Sequence, residues 1–141
     1  MELECVLFRL GNEQYAHCVG VVTEVIVYLV PVPVPGAPTE VEGVINVRGS
    51  VITVISGRKL FELGSTIPNC DWRIILLETP HGRYGVSVDA VGEIIRFSED
   101  NITDSDKMSD PKLVKGTVQH ELGLLILTDF NEVGVKQEHF E

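Results

Sequence analysis

A guanidinium stands in a stretch otherwise suited to burial. The segment GVINVRGSVITVIS, Gly43 to Ser56, carries Arg48 and Asn46 among valines and isoleucines. A buried arginine needs a carboxylate and further acceptors, because an unpaired charge in an apolar site is very costly. Glu24 is one candidate, alone in VVTEVI as a second charge in an apolar run. Arginine can hold a carboxylate with a two-pronged fork that lysine lacks. Glu42 is a rival partner. Such a pair either fixes the packing of two segments or places Arg48 at the rim of a partly buried seam, where it also touches a partner.

The remaining reactive side chains do not assemble into a catalytic pattern. No G-x-S-x-G, S-x-x-K or H-E-x-x-H occurs, and no Cys/His cluster has metal-ligand spacing. His17 alternates with apolar neighbours and reads as a satisfied strand residue; His81 reads as a hairpin tip. His120 beside Glu121 is a weak pair, and Asp89 lacks the α/β pattern of a phospho-acceptor domain. Cys5, Cys18 and Cys70 are an odd number at unrelated spacings and read as small hydrophobes in a reducing compartment. No glycine-rich phosphate loop is present. The expectation is a protein that is not an enzyme and takes no cofactor and no metal.

Composition narrows the partners. The formal net charge of −10 disfavours nucleic acid and anionic membranes, and 6% aromatics are too few for a base-stacking surface. The start, MELECVLFRL, has neither a basic n-region nor a cleavage site, and no apolar run approaches the roughly 18 residues of a membrane span. A cytoplasmic protein of one domain, residues 1–141, is expected.

Strand signals dominate the elements that must position Arg48 and Glu24. Leu3 to Leu10 alternates, Gly11-Asn12 turns, and Tyr15 to Val19 returns. Val21 to Ile26 reads as strand. Pro31, Pro33, Pro35 and Pro38 mark an edge strand that runs into an extended loop. Gly43 to Arg48 and Val51 to Ser56 flank a turn at Gly49-Ser50. Trp72 to Glu78, Tyr84 to Val88 (after a turn at His81-Gly82), Glu93 to Phe97, Val114 to His120 and Leu124 to Leu127 follow. Ser98 to Lys112 reads as a solvated loop with at most one helical turn. Helix signals are few: Ser56 as N-cap of a short helix that Gly64 stops, and a capping box from Asp129 to Glu132.

The chain also repeats. LFRLGNEQYAHCVGVVTEVI from Leu7 aligns with LLETPHGRYGVSVDAVGEII from Leu76, an offset of 69. VEGVINVRG from Val41 aligns with VKGTVQHELG from Val114, an offset of 73 to 74. Two matches in the same order predict two related halves, 1–66 and 67–141, with strand exchange between them possible. Neither half alone buries much surface, so each must lean on the other.

G-V-I-N-V-R-G-S-V-I-T-V-I, Gly43 to Ile55, resembles the signature of the CheW-like chemotaxis coupling proteins. V-V-T-E-V-I and P-V-P-G-A-P before it, Y-G-V-S-V-D-A-V from Tyr84 and L-G-L-L-I-L-T-D from Leu122 resemble further motifs in the same order. The family usually has Asp-Leu where Ser56-Gly57 stands here, and often a basic residue at Thr23. The resemblance implies an all-β fold of two pseudo-repeated five-stranded SH3-like barrels on a shared hydrophobic core, with a few short helices, one near Gly20 to Val25. It implies an adaptor that couples the cytoplasmic helical tip of a chemoreceptor to the regulatory domain of a chemotaxis histidine kinase. Such an adaptor is monomeric alone, cytoplasmic, and recruited to membrane receptor arrays. Service in another chemosensory pathway, such as surface motility, is the alternative. A small protein-binding β-barrel unrelated to chemotaxis is a weaker one. On this reading the receptor groove takes Val22, Ile26, Val86 and Val88, with Glu24, Asn46 and Arg48 nearby. The kinase-facing candidates are Pro35, Gly36, Ala37, Glu40 and Glu42.

Overall fold

The alternation in LECVLFRL forms β1 (Glu2–Leu10), which turns at Gly11 and Asn12 into β2 (Glu13–Cys18). The chain then runs through β3 (Val22–Val27), β4 (Val41–Val47), β5 (Ser50–Ser56) and a one-turn helix α1 (Gly57–Leu60). Next come β6 (Arg73–Thr79), β7 (Gly82–Val88), β8 (Ala90–Ser98), β9 (Ile102–Asp104), β10 (Val114–His120) and β11 (Gly123–Thr128). The structure is a computed structural model, and it describes residues 1–104, 113–131 and 133. The end of the expected loop to Lys112, and Glu132 of the expected capping box, lie outside the described residues.

The strands form two sheets, in the orders β8-β1-β2-β11-β10-β9 and β3-β6-β7-β5-β4. Leaving aside the three-residue β9, the two orders are one pattern. The internal repeat maps β6 onto β1, β7 onto β2, β3 onto β8, β5 onto β11 and β4 onto β10. Register agrees as well. Ile126 pairs with Tyr15 in the parallel contact of the first sheet, and Thr53 pairs with Tyr84 in that of the second. Each sheet draws strands from both sides of residue 66: β3 leaves β1 and β2 to pair with β6, while β8 returns to pair with β1. These are the two SH3-like barrels, and the fold is all-β.

Three apolar clusters fill the fold. Cys5, Leu7, Ala16, Ile95, Phe97, Val118, Leu125 and Leu127 fill the first barrel. Ile45, Val47, Ile52, Val54, Ile74 and Leu76 fill the second. Between the barrels lies a third cluster, with Phe8, Leu10 and Tyr15 of the first sheet against Ile55, Ile75, Leu77, Val86 and Val88 of the second. Strands buried on both faces read as near-continuous apolar runs, which is why RIILLET lacks alternation.

Several local expectations are corrected. Residues 19–21 form one 3-10 turn, and Val22–Val27 is strand, so the helix expected near Gly20 to Val25 shrinks to that turn. Ser56 does cap α1, its Oγ accepting from the Lys59 amide at 3.2 Å. The left-handed residue after the helix is Glu62 (φ 58°), not Gly64. The Leu63 amide then reaches back to the Arg58 carbonyl at 2.8 Å, a closing bond of the Schellman type. Gly57 is required by proximity, because a Cβ there would lie 2.4 Å from the Ser87 carbonyl oxygen.

Candidate docking site

Arg48 is not in the middle of a strand. Val47 pairs directly with Ser50, so Arg48 and Gly49 are the two central residues of the β4–β5 turn, one residue earlier than expected. Both have positive φ, 50° and 88°, as a type I′ hairpin demands. Glycine adopts this freely; arginine does so at a cost of about 1 kcal/mol. Asn46 offsets part of that cost, its side-chain oxygen accepting from the Gly49 amide at 2.9 Å. The sequence N-V-R-G is thus a turn device: Asn46 ties it, Gly49 permits it, and Arg48 is held outward at its tip.

At the tip, Arg48 meets Glu24. Nη1 donates to Oε2 at 3.1 Å, and Nη2 donates to Oε1 in a shorter contact. The pair lies at the surface, with the Arg48 side chain 68% exposed and that of Glu24 35%. The partly buried seam expected for Arg48 is therefore an open rim. The guanidinium lowers the carboxyl pKa of Glu24 through its hydrogen bonds, and the carboxylate raises that of Arg48. β3 and β4 are the opposite ends of the second sheet, so this bridge spans the gap that closes the barrel.

A second latch spans the same gap. Tyr28, just past β3, donates its hydroxyl to Glu42 Oε1 on β4 at 2.6 Å, and Ser87 on β7 donates to Oε2. Glu42, the rival partner, is thereby committed elsewhere. Burial and the adjacent Glu42 carboxylate push the Tyr28 phenol above its ordinary range.

The apolar candidates do not share one face. On β3, half-buried Val22 lies opposite Leu77 and packs on the shared core, whereas half-buried Ile26 lies opposite Ile74 and packs on the second barrel's core; a β-bulge between Val22 and Glu24 sends them to opposite faces of the sheet. Val25 and Val27 are the exposed ones. Val86 and Val88 are 0% and 1% exposed in the shared core, so they cannot line an open groove. β7 is central in its sheet, and that face packs against the other barrel. Exposed apolar side chains continue from Val27 through Leu29, Val30 and Val32 to Val51. There they border an open depression of about 290 Å³ that Asn46 also lines, on the hairpin that carries Arg48.

Pro35 and Gly36 form an exposed turn, with the Ala37 amide bonded to the Val34 carbonyl at 3.2 Å. Glu40 and Glu42 are half-buried; the Glu40 carbonyl accepts from the Ser56 amide at 2.7 Å. Val32 exchanges two main-chain hydrogen bonds with Val44, so the proline segment lies along the β4 edge.

Besides the Tyr28–Glu42–Ser87 latch, three further contacts were missed by sequence reasoning. Arg58 forks onto Asp89 at 3.0 and 2.7 Å, and the Gly11 amide donates to the same carboxylate at 2.9 Å. That cluster links α1, the β7–β8 junction and the β1–β2 turn. His17 is buried, its Nε2 accepting from the Phe130 amide at 2.9 Å, and its ring stacks on Phe130. Nδ1 therefore carries the proton and donates to the Cys18 carbonyl at 2.9 Å. Cys5 and Cys18 face each other across β1 and β2. Only the last was recoverable: a turn centred on Gly11-Asn12 pairs residues whose numbers sum to 23.

Among the described residues, no group of three His, Cys, Asp or Glu could hold a metal ion, and no helix is long and apolar enough to cross a membrane. Two small barrels thus carry an exposed ion pair, and the hairpin that holds Arg48 also borders an apolar depression. Residues 4–136 match the CheW-like domain model, and the chain belongs to that family, one of non-catalytic scaffolds; its role is that of a chemotaxis scaffold or adaptor. It is 31% identical to the chemotaxis protein CheW of Thermotoga maritima, over 94% of this chain and 87% of that protein. It is 24% identical to the chemotaxis protein CheW of Treponema pallidum, over 97% and 85%. The crystal structure of the scaffolding protein TtCheW from Thermoanaerobacter tengcongensis superposes with a TM-score of 0.87 at 30% identity, covering 94% of this chain and 92% of that one.

Proposed function

We propose that this protein couples the cytoplasmic helical tip of a chemoreceptor to the regulatory domain of a chemotaxis histidine kinase, acting in the cytoplasm at membrane receptor arrays. The observation that carries the reading is the exposed Glu24–Arg48 pair, on the strand that also exposes Val25 and Val27 and on the hairpin whose Asn46 and Val51 border the apolar depression with Leu29. An amphipathic receptor helix needs this combination: apolar anchors, and a charged rim that fixes its register. The kinase regulatory domain, itself barrel-like in the family, docks barrel to barrel at a separate face, for which the exposed Pro35-Gly36 turn is the candidate. Purified receptor-tip and kinase regulatory fragments, titrated separately and together, test the proposal. Binding of both, with neither displacing the other, is expected. Mutual displacement, or binding of neither, contradicts it; kinase binding alone favours a scaffold that serves a different receptor class.

A further inference from the structure

The β1–β2 hairpin carries chemistry that docking does not use. Leu10 and Glu13 flank its two-residue turn, and the register runs without interruption to Cys5 opposite Cys18. Pairs flanking such a turn exchange hydrogen bonds, and the two kinds of pair alternate along the ladder. Cys5–Cys18 is five steps further on and so is a non-hydrogen-bonded pair, the kind whose Cα atoms lie about 4.5 Å apart. That falls at the short end of the disulfide range, about 4.4–6.8 Å. The two sulfurs already touch, with Sγ–Sγ at 3.7 Å.

We propose that Cys5 and Cys18 form a reversible redox dithiol, with Cys18 as the attacking thiol and Cys5 as the resolving thiol toward low-molecular-weight disulfides. Exposure assigns the roles: Cys5 is fully buried, whereas Cys18 is partly open at the end of β2. The environment agrees. The hydrogen bond from Cys5 is the main influence lowering the Cys18 thiol to about 7, and Lys115 assists; burial, Asp129 and Glu99 oppose. The same contact pushes the Cys5 thiol up. Thiolate is the nucleophile, so Cys18 reacts first.

In the first step the Cys18 thiolate attacks one sulfur of the external disulfide. That S–S bond breaks, and one external thiolate leaves with the electron pair. Cys5 then gives its proton to solvent and attacks the Cys18 sulfur, expelling the second external thiolate. Two protein thiols are oxidised, and one disulfide is reduced to two thiols. Cys18 leaves one sulfur of the bond partly open to solvent, and exposed disulfides are the readily reduced ones. Its position is consequential, because Cys18 precedes the 3-10 turn Val19–Val21 that carries the chain to β3 and Glu24.

The test uses the full chain with Cys70→Ser, which removes the exposed thiol. The folded protein is equilibrated with a series of oxidised-to-reduced glutathione ratios, quenched in acid, alkylated and mapped by mass spectrometry. Cys5 and Cys18 should lose alkylation together, with the loss of two hydrogens, and should recover in excess reduced glutathione. Adding Cys5→Ala should halt the reaction at one glutathione adduct on Cys18, and Cys18→Ser should leave Cys5 unmodified. If both thiols stay alkylatable at the most oxidising ratio, or join only in denaturant, the proposal is overturned.

Discussion

Arg48 grips Glu24 with both Nη atoms across the two ends of a five-stranded sheet, from the tip of a hairpin whose geometry disfavours arginine. A turn that needs positive φ is better served by asparagine or glycine. The arginine is explained by what it reaches, and because the pair is solvated, its value lies in placing a charged rim more than in stability.

Val88 and Val27 separate core from surface. Val88→Ala, in the shared core, should cost roughly 2 kcal/mol in denaturant unfolding while leaving receptor affinity unchanged in folded protein. Val27→Ala should do the reverse, with little effect on stability and weaker receptor binding. Reduced receptor affinity in folded Val88→Ala would show that this face opens.

The Arg58–Asp89 pair holds three elements together from a mostly buried position. Asp89→Asn should cost roughly 3 kcal/mol, since it strands the guanidinium. Hydrogen exchange should quicken at the Gly11 amide, whose acceptor is that carboxylate. Unchanged stability would mean that solvent replaces the pair.

His17 should make stability pH-dependent. Burial lowers its pKa in the folded protein, whereas the unfolded chain takes up a proton near about 6.5. The unfolded state therefore binds more protons below that point, and stability is full above it and declines as pH falls toward the folded value. Denaturation midpoints measured from about pH 8 to pH 5 should fall more steeply for the native chain than for His17→Gln. Equal slopes would assign the effect to other groups.

Gly57 stands where the family usually has leucine. Any Cβ meets the Ser87 carbonyl, so Gly57→Ala should destabilise by about 1–3 kcal/mol despite its better helix propensity. A stabilised Gly57→Ala would show that the β7 backbone gives way.

The repeat was legible because one half's apolar spacing recurs in the other, and the strand orders follow it. Arg48 was legible as an anomaly but not as a turn residue, because G-S beside it looked like the better turn. Val22 and Ile26 were expected to line one groove, but the bulge between Val22 and Glu24 sends them to opposite faces of the sheet, and no local pattern marks that bulge. Asp89 with Arg58, and His17 with Phe130, join segments far apart in the chain, and no local pattern marks them.

Receptor docking through Arg48 is the core of the proposed coupling. The direct measurement is the affinity of folded Arg48→Ala for a receptor-tip fragment and, separately, for the kinase regulatory fragment. A hot-spot arginine predicts a receptor affinity reduced roughly tenfold or more, with kinase affinity held within about twofold. Equal loss toward both partners, or no loss toward the receptor, would contradict the account.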